Sequence, residues 1–247
     1  MTANSNSVFL TAEWRYLAML NYEIEAQILA PFVPGGTDLD SWNERIFISV
    51  VGFLFQNTQV FGVPIPFHRH FEEVNLRFYV RRKEGHGWRR GVVFVKELVP
   101  RRAIALAARA FYNENYLALP MFHSIEGRRG KAEETKSVEY SWRFSGTTNC
   151  LKLTTHGAAQ SLRDGSEQEF ITEHYWGYSA QRDGTTLEYR VEHPRWRVWD
   201  AEEAELHCDV ADLYGRQFCN SLNCKPTSAF LAEGSAVSVF RGCRLKP

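Results

Sequence analysis

Residues 70–82, HFEEVNLRFYVRR, and 89–121, RRGVVFVKELVPRRAIALAARAFYNENYLALPM, decide the fold, because they set charged residues inside segments otherwise built for burial. Glu73, Asn75, Arg77, Tyr79 and Arg81 alternate with Val74, Leu76, Phe78 and Val80, the period of two that a strand requires. Residues 92–99 form a nearly continuous apolar run that carries adjacent Lys96 and Glu97. On a strand those two side chains point to opposite faces, so one of them is directed at a core or a cavity. The loop Lys83-Glu84-Gly85-His86-Gly87 between the two runs predicts an antiparallel hairpin. Pro100 then opens a predicted helix with Ile104, Ala107, Ala108 and Phe111 at helical spacing, and Asn113-Glu114-Asn115 ends it.

Upstream, residues 46–55, IFISVVGFLF, have the β-branched and aromatic density of a buried strand, which residues 57–63 continue after a bend. Before it, Thr11 can cap a short helix through Glu13, Trp14, Leu17, Ala18 and Leu20, and a second short helix precedes Pro31. After Met121, segments 137–145, 149–155, 168–178 and 185–193 are separated by polar turns, an all-β rhythm. A helix is predicted over 204–222, with Leu206, Val210, Leu213, Tyr214 and Phe218 on one face, and 235–241 makes a closing strand. The chain is therefore read as mainly β (α+β): an antiparallel barrel or cone-like curved sheet with a few peripheral helices.

No linker-like stretch divides the 247 residues, so a single domain spanning 1–247 is expected. Hydrophobic residues at 44% and aromatics at 14% suffice for a core and for an aromatic-lined cavity besides. Lys plus Arg and Asp plus Glu both number 29, so the charge balance asks for neither nucleic acid nor an anionic membrane. With no leader-like N-terminus and no apolar run long enough to span a bilayer, a cytoplasmic location is expected. Five cysteines without a CxxC pair fit reduced thiols. Nucleotide-binding glycine patterns and a GxSxG elbow are absent, so no cofactor is expected.

Two constellations can carry chemistry. Lys96 is a lysine embedded in an apolar strand, where desolvation can supply the free amine that imine formation needs; a lysine facing solvent or paired with Glu73 fits the same pattern. In residues 173–193, EHYWGYSAQRDGTTLEYRVEH, a turn centred on Asp183-Gly184 sets Tyr178 opposite Tyr189, Trp176 opposite Val191 and His174 opposite His193. The two histidines then form a candidate metal or pH-gating pair, or simply part of an aromatic ladder, and a third protein ligand is not evident. A change of one residue in turn register abolishes the pair. His68 and His70 have strand spacing too, behind Pro64 and Pro66, which favour a loop.

The segments EWRYLAMLNYEI, VPGGTDLDSW, PIPFHRHFEEVNLRFYV, RRGVVFVKELVPR, HYWGY and FLAEGS resemble the YqjF-like family, a group without an assigned activity in the acetoacetate decarboxylase-like superfamily. The likeness runs from about Ala12 to Val239 and implies a cone-like barrel enclosing a pocket. In the decarboxylases the corresponding turn carries a Schiff-base lysine. Here Arg109 matches the family's arginine, while Asn115-Tyr116-Leu117 stand where it has Pro-Lys-Lys, so both lysines are replaced. Glu73 is the nearest match to the family's acid, and Glu114 and Tyr116 stand beside the lost nucleophile, where they can act as acid or base or merely cap a helix exit. The expectation is a small-molecule binder for a mainly apolar ligand with a polar or carboxylate head, held by Arg77 or Arg109. Glu73, Trp176 and Tyr178 line or support its pocket. The rival is an enzyme acting on a carbonyl compound through Lys96 or through Glu114 and Tyr116.

Overall fold

The computed structural model describes residues 7–101, 113–129 and 134–245. Its strands, in chain order, begin with β1 (Val8–Glu23), β2 (Asp38–Leu39), β3 (Phe47–Val60), β4 (Val63–Pro64), β5 (Phe71–Glu84) and β6 (Gly87–Val99). There follow β7 (Tyr116–Ala118), β8 (Met121–Arg129), β9 (Glu134–Phe144), β10 (Thr147–Thr155) and β11 (Gln160–Ser161). The last five are β12 (Trp176–Ala180), β13 (Thr186–Glu192), β14 (Arg197–His207), β15 (Ser228–Phe240) and β16 (Cys243–Leu245). Short helices are α1 (Ala26–Leu29), α2 (Glu167–Thr172), α3 (Val210–Leu213) and α4 (Cys219–Leu222). The fold is mainly β, as the alternation predicts.

Hydrogen bonds run through β13, β12, β6, β5, β3, β1 and β15, and a further pairing of β15 with β13 closes a ring. Most neighbours are antiparallel, while β12 joins β6 in parallel. The sheet continues through β14, β10, β9 and β8. Because side chains alternate across a strand, β1, β3, β5, β6 and β15 each serve two cores. One face, with Leu20, Val50, Leu76, Phe78 and Leu98, packs against Val138, Tyr140 and Trp142 of β9 and against Leu213 and Phe218. The other, with Met19, Val51, Phe53, Phe55, Tyr79 and Phe230, surrounds the interior of the ring.

The predicted helix at 11–20 is instead part of β1. Leu17, Ala18, Met19 and Leu20 are all buried because β1 lies between β3 and β15 and serves both cores. Such a doubly buried strand has no polar face, so a helical spacing can be picked out of it by chance. The segment 168–178 begins as α2, capped by Ser166, whose Oγ accepts from Glu169 N at 3.2 Å, before β12 starts. The predicted helix at 204–222 is also corrected: β14 runs to His207, and two short helices follow. Val210, Leu213, Tyr214 and Phe218 are nevertheless buried there. The Pro100 helix and Arg109 fall in 102–112, outside the described residues.

The β12–β13 hairpin closes one residue differently from the predicted register. Gln181 and Thr185 flank a three-residue turn, with Gln181 N donating to Thr185 O at 2.8 Å and Gly184 at φ 81°. Tyr178 therefore pairs with Glu188 and Gly177 with Tyr189, and His174 does not face His193 across the ladder. On the outer face Glu188, 2% exposed, accepts from Arg82 Nε at 2.8 Å, Arg89 Nη1 at 2.6 Å and Tyr178 Oη at 3.0 Å. This cluster fastens β13 to β5 and β6.

Glu188→Ala is expected to cost about 2 kcal/mol, because it strips charge-assisted hydrogen bonds from two arginines that still keep a route to water. A urea midpoint equal to wild type would show that the cluster does not hold the hairpin.

Candidate functional site

The ring encloses a cavity of about 250 Å³ whose wall is mostly aromatic and aliphatic. Trp14, Phe53, Phe55, Phe71, Phe94, Trp176 and Trp196 supply the apolar surface, and a polar stripe crosses it. That stripe is the polar face of β5: Glu73, Asn75 and Arg77 point inward at i, i+2 and i+4.

β6 completes it through a bulge. Leu76 pairs with Lys96 but Arg77 pairs with Phe94, so Val95 is the extra residue. Beyond the bulge Glu97 faces the cavity opposite Asn75. Lys96 is directed to the outer face, where its Nζ donates to the carbonyl of Leu213, and burial lowers its pKa. Asn113 exits in the left-handed conformation, φ 54°, which asparagine tolerates. Glu97 N then donates to Asn115 O at 3.1 Å, and β7 pairs in parallel with β6. These bonds deliver Glu114 and Tyr116 to the cavity beside Glu97.

Three carboxyl groups thus meet in an apolar enclosure. Glu73 is 3% exposed and Glu97 1%. Glu73 Oε1 accepts from Asn75 Nδ2 at 3.0 Å, and the Tyr116 hydroxyl lies 3.4 Å from its Oε2. Glu114 Oε1 accepts from the Tyr189 hydroxyl at 2.6 Å. Tyr189 can lie there because Gly177 faces it across the ladder, where a methyl would collide with its ring.

Burial disfavours the charged forms. It pushes Glu73 up to about 7, against the hydrogen bonds from Asn75 and Tyr116 and the charge of Arg77. Glu114 rises to about 8, through burial and the neighbouring Glu73, against the bond from Tyr189. Glu97 is raised well above the carboxylate range by burial and by Glu114 and Glu73, against a hydrogen bond from Tyr116.

Beyond Asn75 the stripe changes sign. Arg77, 9% exposed, has no hydrogen-bond partner for its Nε among the described residues, and its Nη2 approaches Met19 Sδ at 3.9 Å. His174 packs against Tyr79, ring centroids 4.7 Å apart, with Asp40 Oδ2 3.7 Å from its Nε2. His193 stacks on Trp196 at 4.1 Å. Burial depresses both histidines to about 4, aided by the positive charge of Arg77, so they are neutral near pH 7.

Of the residues singled out in the sequence, Glu73, Arg77, Glu114, Tyr116, Trp176, His174 and His193 share this one cavity. Tyr178 lies on the outer face, with its hydroxyl on Glu188. No group of three or more His, Cys, Asp or Glu among the described residues has metal-holding geometry. The sequence set Tyr189 in the aromatic ladder but assigned neither it nor Trp14 or Trp196 to the site. Tyr189 does stand at the alternate position to Val191 on β13, a signal that it shares that inward face.

By its strand arrangement the chain has the acetoacetate decarboxylase-like fold. It belongs to the DUF2071 family of uncharacterized conserved proteins, whose profile matches residues 11–236. YqjF of Bacillus subtilis (strain 168), itself uncharacterized, is 27% identical over 210 residues, covering 82% of this chain and 80% of YqjF. The enduracididine biosynthesis enzyme MppR superposes with a TM-score of 0.69 at 10% identity, over 97% of this chain and 88% of MppR. The acetoacetate decarboxylase of Legionella pneumophila superposes with a TM-score of 0.62 at 12% identity, over 99% of this chain and 90% of that one.

Two outcomes follow from this geometry. Gly177→Ala should cost about 1–3 kcal/mol by overpacking against Tyr189, read as a lowered urea midpoint; an unchanged midpoint would mean the ring yields freely. The second concerns pH. Glu73, Glu97 and Glu114 hold protons in the folded chain that the unfolded chain, near 4.5, has released, so stability falls as pH rises toward 7–8. His174 and His193 act in the opposite sense, but only between about 4 and 6.5. The urea midpoint should therefore drop between about pH 6.5 and pH 8.5, and the Glu73→Gln, Glu114→Gln double variant should flatten that slope. A midpoint that rises over this range would contradict the buried acid cluster.

Proposed function

We propose that the protein binds a small, mainly apolar organic acid in this cavity, with the ligand's carboxylate on Arg77. The observation that carries the reading is the buried guanidinium on an aromatic wall with its Nε unpartnered. A buried cation without a paired anion is costly, and a bidentate carboxylate is the partner whose geometry fits it. His174, neutral and with Asp40 Oδ2 3.7 Å from its Nε2, adds a second polar group at that end. The aromatic remainder of the cavity offers apolar area for the body of the ligand. MppR has been crystallised complexed with pyruvate, so a related fold accommodates a small oxo acid.

An imine does not enter this reading. The cavity wall carries no lysine among the described residues, and Lys96 is committed to Leu213 on the outer face. A second reading is favoured by one observation: Glu73 and Glu114 lie near 7 and 8, where a carboxyl exchanges protons at neutral pH. On that reading the protein is an enzyme acting on a carbonyl compound, with Glu114 or Tyr116 as acid or base.

Calorimetric titration with 3-phenylpropanoate should show saturable binding that Arg77→Met weakens at least tenfold while the variant keeps a wild-type circular dichroism spectrum. Equal affinity in the variant would remove the carboxylate from Arg77. Borohydride treatment with pyruvate should leave the mass unchanged; an adduct mapped to Lys96 would instead establish imine chemistry. Consumption of a 2-oxo acid, lost in Glu114→Gln, would establish the acid–base reading.

A further inference from the structure

At the other end of the polar stripe the cavity holds acceptors that the described residues leave unsatisfied. Asn75 Oδ1 and Glu97 Oε2 are buried with no hydrogen-bond partner among the described residues, and both residues line the cavity. They lie side by side because Asn75 pairs with Glu97 across the β5–β6 ladder, which sets Cβ atoms about 5 Å apart. The Asn75 amide nitrogen is engaged by Glu73 at 3.0 Å, so its oxygen is the atom left over.

Arg77 lies two residues further along the same face, about 7 Å away, and presents the complementary deficiency, an Nε donor with no acceptor among the described residues. A simple apolar acid satisfies the arginine but brings no donor to Asn75 Oδ1, and an unsatisfied buried polar atom is costly. One small group satisfies several acceptors at once: an ammonium, with three N–H donors and the charge that a carboxylate cluster favours.

We propose that the ligand is a zwitterion, an apolar amino acid or other amine-bearing acid, with its carboxylate on Arg77 and its ammonium between Asn75 Oδ1 and Glu97. This rests on the carboxylate reading above and adds the second head group. Among themselves the three carboxyls retain protons because burial and mutual repulsion forbid full ionisation. A bound ammonium replaces those protons. The groups that face the cluster are Arg77 on its own strand, Tyr116 from β7 and Tyr189 from β13, all of which favour carboxylates as acceptors. His174 and His193 beyond Arg77 stay neutral throughout the relevant range.

The sign of the pH dependence separates this head group from a carbonyl. An ammonium needs ionised carboxyls, so affinity rises with pH and protons are released on binding. A carbonyl needs protonated carboxyls, so affinity falls. The experiment is calorimetry with 3-phenylpropanoate, phenylalanine, 3-amino-3-phenylpropanoate and phenylpyruvate at about pH 6.5 and 8.5, in buffers of differing ionisation enthalpy. At least one amino acid should bind tenfold or more tighter than 3-phenylpropanoate at the higher pH, with a smaller gain at the lower pH and with proton release. No gain from either amine, or tightest binding by phenylpyruvate with affinity that falls as pH rises, would overturn the zwitterion and leave the carboxylate reading standing. Failure of all four to bind would remove both.

Discussion

One extra residue in β6 determines where charge sits in this molecule. Val95 has no counterpart on β5, so the strand reaches Arg77 with Phe94 inward and reaches Asn75 with Glu97 inward. An unbulged pairing carried on from the Arg77–Phe94 pair would place Lys96 opposite Asn75, in the cavity, and turn Glu97 away. The enclosure would then hold arginine, lysine and one fewer acid. The observed arrangement is locked from both sides, by the Lys96 bond to the Leu213 carbonyl outside and by the Asn115 side chain, whose Nδ2 donates to Val95 O at 3.1 Å.

That slip has an energetic counterpart. An acid trio is tolerable in an apolar space only if its protons stay on or a cation arrives, and the tyrosine hydroxyls beside Glu73 and Glu114 are compatible with either state. The outer core supplies the rigidity that keeps these groups from relaxing toward water. Tyr140 lies directly on Gly52 of β3 and donates to Tyr16 O at 2.8 Å, which ties β9 to the ring.

The sequence made the β5–β6 hairpin legible because one face of β5 is apolar against the outer core while the other is polar against the cavity. The same alternation selected Glu73 and Arg77, and the family resemblance directed attention to Glu114 and Tyr116. The inward choice between Lys96 and Glu97 was not legible, since a bulge leaves no mark in a run of valines. β1 was misread because its centre is buried on both faces, which erases the period. The His174–His193 pair depended on a two-residue turn, and the glycine at φ 81° closes a three-residue one instead. The two rings still reach the same cavity, by way of the connection after α2 and the stack on Trp196.

The ring itself is unevenly sewn. Between β3 and β5 eight residue pairs run in register, whereas β13 meets β15 through two, Val191 with Val239 and Glu192 with Ser238. Val191 and Val239 are also part of the cavity wall. Local opening concentrates where the fewest bonds must break together, so the two short seams that join the β12–β13 hairpin to β6 and to β15, each of two residue pairs, are where the interior exchanges with solvent most readily, while Glu73 and Arg77 sit on the longer-paired β5.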